Sequence, residues 1–389
     1  MDLFEKRKQD HIELSLQDRV QAYGQSGLDA VQLYHEALPD FDFSEVNTKT
    51  RILGHDFQFP YLISSMTAGH QSGVRINQIL AEAASERSWL MAVGSQRREL
   101  TDVVAATEWK NIRQQAPNLK LIGNIGIAQA IVSSTAQIQA LVDSLQAVAL
   151  FIHCNPLQEV LQPEGNTEFR GGLKSIERLV REISVPVLVK EVGCGFSPST
   201  LQRLENIGVP VVDVSGRGGT HWGRLEAYRS APESVLYQVG HTFKDWGETT
   251  LDSLTNAKKI LKNTDVWASG GVRSGLDAAK LFALGASVVG FAQPLIKAIV
   301  EGTPAKDDTS NDDNVSSHQV SDNRRGGNQS RNKQNGDIQS SNRATDAESA
   351  LRHKMEVLEM ELKIAMFCSG SMTIQELKEK VNDGSKFRL

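Results

Sequence analysis

The sequence predicts an α/β fold, a (β/α)8 barrel that carries an amino-terminal arm and an insertion before its last helix. Eight short apolar runs recur between residues 61 and 292, and segments with helical periodicity separate them. Glycine, proline or polar residues bound each run. Buried parallel strands have this continuous apolar character, and eight β/α alternations are the number found in a closed barrel. A doubly wound open sheet is the structural alternative, and the eightfold count favours the barrel over it.

The eight apolar runs are the predicted strands of the barrel. In chain order they are YLISSM (61–66), LMAVGS (90–95), LIGNIG (121–126), VALFIH (148–153), VLVKEV (187–192), VVDVSG (211–216), DVWASG (265–270) and SVVGFA (287–292). Between the runs, apolar residues recur at the spacing of one helical face, as at Ile176, Leu179, Val180 and Ile183. This spacing predicts amphipathic helices whose apolar faces pack against the strands.

The chain divides into four predicted regions. Residues 1–60 form the arm, residues 61–302 form the barrel, and residues 350–389 form a helical segment that packs on the barrel. The stretch 303–349 is almost free of aliphatic and aromatic residues. Because such a stretch cannot bury enough apolar surface to offset its chain entropy, we predict that it is disordered. A helical stripe resumes at Leu351, so the stretch is an insertion and not a domain boundary.

Composition and charge limit the possible classes of protein. The 389 residues are 40% hydrophobic and 23% charged, and 42 Lys and Arg stand against 47 Asp and Glu, for a net charge of −5. This balance argues against nucleic acid or an anionic membrane surface as a general partner. The three cysteines show no metal-binding or redox spacing, and the first residues lack the apolar core of a signal peptide. We therefore expect a cytoplasmic protein without a membrane span.

One segment at the end of a predicted strand, HCNPLQEVLQPEG (153–165), is unusually polar. Polar groups at the end of a buried run are costly unless something binds them, and the carboxyl ends of barrel strands form the functional face. The residues at the ends of the other runs are Ser65, Met66 and Thr67, then Ser95, Gln96 and Arg97, then Asn124, Lys190, Ser215 and Ser269. Each has an equally good structural interpretation when taken alone, but their convergence favours a binding site.

Three glycine-rich turns predict a cofactor that bears a phosphate. They are SGRGGT (215–220), SGGVRSG (269–275) and GFAQP (290–294). Small residues let the backbone approach a phosphate, and the amino terminus of a following helix supplies free N–H groups. The second turn follows the seventh predicted strand, where barrels commonly bind phosphate, and Arg273 adds charge there. No GxGxxG motif opens a βαβ unit, so a Rossmann-type nicotinamide site is not predicted.

The arm begins with a basic cluster. Arg7, Lys8 and His11 fall on one face of a predicted helix, and Arg97 and Arg98 follow the second predicted strand. A solvated helix start is the usual explanation for such a charged run. Taken together, however, these side chains suit a substrate that carries a diphosphate.

These motifs together resemble type II isopentenyl-diphosphate isomerases. RKQDH near the start is followed by SSMTAG, GSQR, GNIG, HCNPLQE…QPEG, KEVGCG, SGRGGT, DWG and GGVRSG in the order typical of that family. The resemblance covers most of residues 5–300 and the helix after the insertion. It implies a TIM barrel that binds FMN and Mg²⁺ and interconverts isopentenyl and dimethylallyl diphosphate in isoprenoid biosynthesis. It also implies a homotetramer or a larger assembly.

The resemblance implies a role for each residue that matches a family motif. The predicted flavin contacts are Ser65, Met66, Thr67, Ser95, Asn124, Lys190, Ser215 and Thr220, with Gly271, Val272, Arg273, Ala292 and Gln293 at the flavin phosphate. The predicted substrate-binding residues are Arg7, Lys8, His11, Ser95, Gln96, Arg97, Asn155 and Gln158. Glu159 is the predicted ligand of Mg²⁺, a hard cation that prefers oxygen. Gln158 is a predicted catalytic residue, and so is His153, which we expect to bind phosphate or to orient its neighbours.

The isomerisation moves a proton on and off an allylic carbon chain, and the sequence offers no obvious pair of acids for this task. The resemblance assigns the proton transfer to reduced FMN, with NAD(P)H as the expected reductant. The main alternative is an FMN-dependent 2-hydroxy-acid oxidase or dehydrogenase, which needs a histidine base beside an arginine. The stretch HTFKDWGETT (241–250) contains His241 but no arginine. A non-catalytic phosphate-binding barrel is a second alternative.

Overall fold

A computed structural model describes residues 3–66, 71–303, 332–378 and 380–381. For residues 3–5, 71–72, 103 and 332–345 it describes the backbone alone. The predicted flavin contact Thr67 therefore lies outside the described residues, as do residues 304–331 of the predicted insertion.

Eight parallel strands close into a barrel, as the sequence predicts, and each strand pairs with its neighbours in chain order. The strands are β3 (Tyr61–Ile63), β4 (Leu90–Ala92), β5 (Leu121–Gly126), β6 (Ala149–Cys154), β7 (Val187–Glu191), β8 (Val211–Asp213), β9 (Asp265–Ala268) and β10 (Val288–Phe291). The last strand closes the ring by pairing with the first, Val289 opposite Tyr61. Every residue of β3, β4, β5, β7, β8 and β10 is buried, which explains why these runs are continuously apolar.

An antiparallel hairpin precedes the barrel, and the sequence analysis did not predict it. Its strands are β1 (Thr50–Ile52) and β2 (His55–Phe57). Ile52 and Phe57 are buried in one apolar cluster with residues that fill the barrel interior, among them Phe151 and Trp267. The hairpin therefore adds its own side chains to the apolar interior of the barrel.

Fifteen α-helices occur in the described residues. They are α1 (Leu3–Ser15), α2 (Gln71–Arg87), α3 (Thr107–Gln115), α4 (Ile127–Val132), α5 (Thr135–Leu145), α6 (Pro156–Leu161), α7 (Gly172–Glu182), α8 (Pro198–Asn206), α9 (Trp222–Arg229), α10 (Val235–Thr242), α11 (Thr250–Ile260), α12 (Gly275–Ala283), α13 (Gln293–Glu301), α14 (Asn332–Cys368) and α15 (Ile374–Leu377). None of these helices combines the length and the apolar character that a bilayer crossing demands.

The long helix α14 packs against the barrel through α12 and α13. Leu351, Met355, Leu358 and Leu362, which form the predicted helical stripe, are fully buried. The helix begins at Asn332, inside the stretch 303–349 that the sequence predicts to be disordered, and Ala347 on it is buried. The predicted stretch therefore extends a few residues too far, because Ala347 at its carboxyl end already belongs to the packed part of the helix.

The arm crosses the carboxyl end of the barrel and is held there by apolar and backbone contacts. Leu14 and Val20 are buried against Leu225 of α9. Residues 20–22 then pair with the turn before α9, since Ala22 donates its N–H to the Gly219 carbonyl at 2.8 Å and His221 donates to the Val20 carbonyl at 2.9 Å. These contacts place α1 over the ends of the strands.

Candidate active site

A cavity at the carboxyl ends of the strands is covered by α1, and it brings together nearly all of the predicted site residues. Those that line it are Arg7, Lys8, His11, Ser65, Met66, Ser95, Arg97, Asn124, His153, Asn155, Gln158, Glu159, Lys190, Ser215, Thr220, Gly271, Val272, Arg273, Ala292 and Gln293. Residues that lie up to 286 positions apart in the sequence thus face one space. The barrel explains this convergence, because parallel strands deliver their last residues to the same end.

Two cations of α1, Arg7 and Lys8, lie close to Arg97 of the turn after β4 at this cavity. Burial and the charge of Arg97 lower the pKa of Arg7, and burial together with Arg7 and Arg97 lowers the pKa of Lys8 to about 8. The carboxylate of Glu164 lies 3.8 Å from the Arg7 guanidinium and offsets part of this charge. Because neighbouring cations lower the pKa values of Arg7 and Lys8, a multivalent anion bound there would stabilise their charged forms, so the cluster suits a diphosphate.

His153 at the end of β6 is neutral and presents an acceptor nitrogen to the cavity. Burial and the charges of Lys190 and Lys8 lower its pKa to about 3. The Asn124 amide group donates to the Val93 carbonyl at 3.1 Å, so its oxygen, 2.9 Å from His153 Nδ1, must accept. This contact places the ring proton on Nδ1 and leaves Nε2 with a free lone pair. The side chain is therefore a hydrogen-bond acceptor and a poor proton donor at neutral pH.

The polar segment after β6 forms the first turn of α6. Pro156 occupies the first helical position, where its missing N–H costs nothing. The Asn155 amide donates to Gln158 Oε1 and to Glu159 Oε1, at 3.1 Å each. Glu159 Oε2 accepts the N–H of Asn166 at 2.6 Å. These bonds hold the Gln158 and Glu159 side chains in fixed positions at the cavity wall.

Glu226 on α9 links Gln158 to the arm, and the sequence analysis missed it. Its carboxylate, fully buried, accepts from Gln158 Nε2 at 3.0 Å, from His11 Nε2 at 2.9 Å and from Arg229 at 2.6 Å. Burial raises the pKa of Glu226, but the bonds from His11, Arg229 and Gln158 outweigh it, so the net pKa lies below its usual value. Burial lowers the pKa of His11.

The glycine-rich turns approach the cavity as predicted, but the helix expected to bind phosphate does not offer free N–H groups. Arg273 and Ser274 donate their N–H groups to Asp277 Oδ2 at 3.0 and 3.1 Å, and Gly275 donates to Glu361 Oε2 at 2.5 Å. That part of the sequence prediction is wrong, because a capping box and a carboxylate of α14 already satisfy the start of α12. Gly271, Val272, Ala292 and Gln293 line the cavity instead.

Several residues that line the cavity each have a buried polar atom without a partner. These atoms are Ser64 Oγ and Ser65 Oγ at the end of β3, Arg273 Nε, and Gln21 Oε1 of the arm. Orphan atoms of this kind are costly unless a ligand satisfies them. Lys190 Nζ, which is also buried in the wall, donates to the Glu191 carbonyl at 2.5 Å and lies 3.8 Å from Asp213 Oδ2. The donor set suits a ligand with phosphate and carbonyl oxygens.

A metal ion would depend on Glu159. In the described part of the chain, no three His, Cys, Asp or Glu side chains cluster as a metal site. Of the described residues that line the cavity, Glu159 alone carries a carboxylate. One carboxylate at a cavity that suits a diphosphate fits Mg²⁺, which binds through one or two protein carboxylates and completes its shell with phosphate oxygens and water.

Gln96 is predicted to bind substrate, but its side chain does not line the cavity. Its Nε2 donates to the Leu141 carbonyl at 3.1 Å, and its Oε1 accepts the Asn124 N–H at 3.1 Å. Only 1% of its surface is exposed. Both ends of the amide are therefore used to join β5 and α5 to the turn after β4, while Arg97, its neighbour, lines the cavity.

We expect Gln96→Met to destabilise the fold without weakening anion binding. The free energy of unfolding should fall by about 1–3 kcal/mol, because a buried carbonyl and a buried N–H lose their partners. The dissociation constant for inorganic diphosphate, measured by calorimetry, should change by less than about twofold, whereas Arg97→Met should raise it by about tenfold or more. Equal losses of affinity in the two variants would restore the substrate-binding role of Gln96.

Comparisons with known proteins give a consistent result. Residues 155–305 match the family described as FMN-dependent dehydrogenase. The chain is 47% identical to the isopentenyl-diphosphate delta-isomerase of Bdellovibrio bacteriovorus over 381 residues, and 45% identical to that of Legionella pneumophila (strain Corby) over 377 residues. Each alignment covers 97% of both chains. A mandelate oxidase solved with benzoyl-formic acid has the same fold, with a TM-score of 0.56, 15% identity and 97% coverage of both chains.

Proposed function

The chain belongs to the isopentenyl-diphosphate delta-isomerase family, and on that premise we propose that it interconverts isopentenyl and dimethylallyl diphosphate with FMN and Mg²⁺ bound in the cavity. The observation that carries this proposal is the position of the cation cluster. Arg7, Lys8 and Arg97 line the same cavity as the fixed amide and carboxylate of Gln158 and Glu159. One pocket can therefore hold a diphosphate at its cations and a short carbon chain beside a neutral amide.

The diphosphate would be bound by charge and by metal together. Arg7 and Arg97 offer planar guanidinium groups, and Lys8 offers a compact point charge. Glu159 would hold Mg²⁺, which would also bind phosphate oxygens and neutralise part of their charge. His153 Nε2 carries a lone pair and repels a bare phosphate oxygen, so His153 accepts from a bound water or from a ligand donor instead.

FMN would occupy the part of the cavity that the late strands form. Lys190 suits a ring oxygen of the flavin, the orphan hydroxyls of Ser64 and Ser65 can bond its polar edge, and Arg273 Nε suits its phosphate. Bound in its reduced form, FMN would supply the acid–base chemistry that the carbon chain needs, next to the residues that hold the substrate. We propose NAD(P)H as the reductant.

The chain's own residues would orient the substrate and keep the site dry. The isomerisation adds a proton to the terminal methylene carbon and removes one from the CH2 group between the alkene carbon and the CH2–O group of the diphosphate ester, so there is no net redox change. Glu159 is committed to the metal, and the neutral His153 with a pKa of about 3 is a poor acid. Gln158, held by Asn155 and Glu226, is fixed as an uncharged neighbour of the carbon chain, while α1 covers the cavity and excludes water.

A 2-hydroxy-acid oxidase activity is the rival function, and the likeness to mandelate oxidase shows the fold alone. Such an oxidase needs a histidine base beside an arginine in the site. His241 lies on α10, where its Nδ1 bonds the Tyr237 carbonyl at 2.8 Å and its ring packs on Tyr228 and Tyr237. His241 does not line the cavity. His241, the histidine considered for this role, is therefore not the base of such an oxidase.

The two functions are separated by one paired assay on the purified protein loaded with FMN. Isopentenyl diphosphate is added with Mg²⁺ and dithionite, and the products are followed by ³¹P NMR; an air-oxidised sample is the control. In parallel, lactate and mandelate are added without oxygen, and the visible flavin absorbance is followed. We expect dimethylallyl diphosphate only in the reduced sample and no bleaching by either acid. Bleaching without isomerisation would establish the oxidase function instead.

The activity should decline in alkaline solution because Lys8 loses its charge. Burial, Arg7 and Arg97 lower the pKa of Lys8 to about 8, while Glu108 and Glu226 oppose that shift. Lys8 is charged below this pKa and neutral above it, so kcat/KM for isopentenyl diphosphate should fall as pH rises through about 8, by about tenfold or more. The Lys8→Met variant should be less active at pH 7 and should lack this decline. An unchanged kcat/KM up to pH 10 in the wild type would contradict the assignment.

We also propose a homo-oligomer, tetramer or larger, in the cytoplasm. Exposed apolar side chains on and after α10, namely Val235, Val239 and Trp246, offer an apolar surface for self-association. The three cysteines are unpaired, which fits a reducing compartment. Light scattering on the protein as it elutes from a size-exclusion column should give a mass of at least four chains. A mass of one chain would exclude the assembly.

A further inference from the structure

The arm carries a buried amide that the family motifs do not include. Gln21 is the middle residue of the segment 20–22 that follows α1, and only 3% of its surface is exposed. It lines the cavity, and its Oε1 atom is buried without a partner. An unsatisfied amide oxygen in such a place costs folding free energy unless a ligand donates to it. Gln21 is therefore a candidate for direct ligand contact.

The orientation of this amide is fixed by its neighbours. Gln21 Nε2 lies 2.6 Å from the Ser15 carbonyl oxygen and 3.0 Å from Thr220 Oγ1. A backbone carbonyl can only accept a hydrogen bond, so the nitrogen must face Ser15 and the oxygen lies on the other side of the amide, buried and without a partner. The backbone pairing of residues 20–22 with residues 219–221 holds the side chain beside the SGRGGT turn.

The ligand group that meets Gln21 must be a hydrogen-bond donor. A phosphate is excluded, since its oxygens would repel the amide oxygen. Isopentenyl diphosphate is excluded as well, because it carries no N–H and, when ionised, no O–H. FMN has two kinds of donor, the hydroxyls of its ribityl chain and the N–H of its ring. Thr220, which Gln21 contacts, belongs to a glycine-rich turn of the kind that suits the flavin phosphate, which favours the chain next to that phosphate over the ring.

We propose that Gln21 Oε1 accepts a hydrogen bond from a ribityl hydroxyl of bound FMN, so that the arm contributes to the flavin site. This inference rests on the proposed function, since it requires FMN in the cavity. The proposed hydrogen bond would link the flavin site to the substrate site, because the same arm carries the cations Arg7 and Lys8. The arm therefore contacts both cofactor and substrate, and flavin binding stabilises the position from which α1 covers the cavity.

The test combines a variant with altered ligands. Dissociation constants for FMN and for its 2′-deoxy, 3′-deoxy and 4′-deoxy analogues are measured by quenching of flavin fluorescence, for the wild type and for Gln21→Met. Methionine keeps the length of the side chain and removes the acceptor. Gln21→Met should weaken FMN binding by about tenfold to 100-fold, because the buried hydroxyl loses its partner. For one of the deoxy analogues, the two proteins should bind within about twofold of each other.

Two comparisons keep this result interpretable. Gln17→Met changes a half-exposed glutamine of the same arm and should leave every dissociation constant unaltered. The loss of the Nε2 bonds in Gln21→Met weakens all four flavins alike, so only a loss that disappears with one analogue reports the hydroxyl contact. A uniform loss across the four ligands would overturn the inference and leave the proposed function standing. A wild type that binds no FMN would overturn both.

Discussion

Replacing Glu159 by glutamine should lower kcat/KM for isopentenyl diphosphate by about 100-fold or more. Glu159 carries the one carboxylate among the described residues that line the cavity, and glutamine keeps its shape while removing its charge. Mg²⁺ stabilises the negative charge of the phosphates in the transition state by several kcal/mol, and the variant would bind this ion weakly. Each 1.36 kcal/mol added to the activation barrier lowers the rate about tenfold. Titration of the activity with Mg²⁺ should show a higher half-saturating concentration in the variant. FMN affinity should be unaltered.

The matched control for this experiment is Glu168→Gln in the same loop. Glu168 is exposed, and its N–H, not its carboxylate, makes the hydrogen bond to Asn166. The control should retain the wild-type activity and the wild-type response to Mg²⁺. If Glu159→Gln turns over at the wild-type rate with an unchanged Mg²⁺ requirement, the metal is held elsewhere and the role assigned to Glu159 is wrong.

Replacing Glu226 by glutamine should lower kcat by about tenfold to 100-fold without a comparable loss of FMN affinity. The carboxylate accepts from three donors, on His11, Gln158 and Arg229, and a glutamine presents one nitrogen where an acceptor is needed. A donor then faces a donor, so the Gln158 amide moves and the arm is held less firmly. The free energy of unfolding should fall as well, by about 1–3 kcal/mol.

A double-mutant cycle distinguishes this positioning role from a loss of stability alone. The effect of Glu226→Gln on kcat is measured in the wild type and in Gln158→Met. If Glu226 acts on the reaction by orienting Gln158, the second effect should be much smaller than the first, while the two losses of stability remain alike. Equal effects on kcat in both backgrounds would show that Glu226 acts independently of Gln158.

The barrel could be predicted from the sequence because each of its strands is buried on both faces. LIGNIG and VLVKE are buried throughout, so their apolar character is continuous and easily recognised. The hairpin β1–β2 was missed because its two strands have only three residues each and bury only part of their side chains. The start of α14 was missed because a polar stretch can join a helix whose stability comes from packing farther along the chain.

Site residues at the ends of strands could be predicted from the sequence. Site residues that lie on other elements and act through long-range contacts could not. Glu226 and Gln21 act through contacts 215 and 199 positions away in the sequence, with His11 and Thr220. The LEAYR stretch does place Glu226 and Arg229 one helical turn apart, but nothing in it shows that the acid faces the arm. For Gln96 the sequence could not show that the side chain beside Arg97 bonds buried backbone groups, and its predicted contact with substrate stays a prediction.

The most direct test of the whole account is the isomerisation carried out in ²H₂O and followed by ¹H NMR. The FMN-loaded protein is reduced with dithionite, and isopentenyl diphosphate and Mg²⁺ are added. The account predicts dimethylallyl diphosphate with deuterium in a methyl group, since the proton is delivered from an exchangeable group in the site. It also predicts no product from the oxidised protein. Product formed equally well by the oxidised protein, or product without deuterium, would contradict proton transfer that depends on reduced flavin.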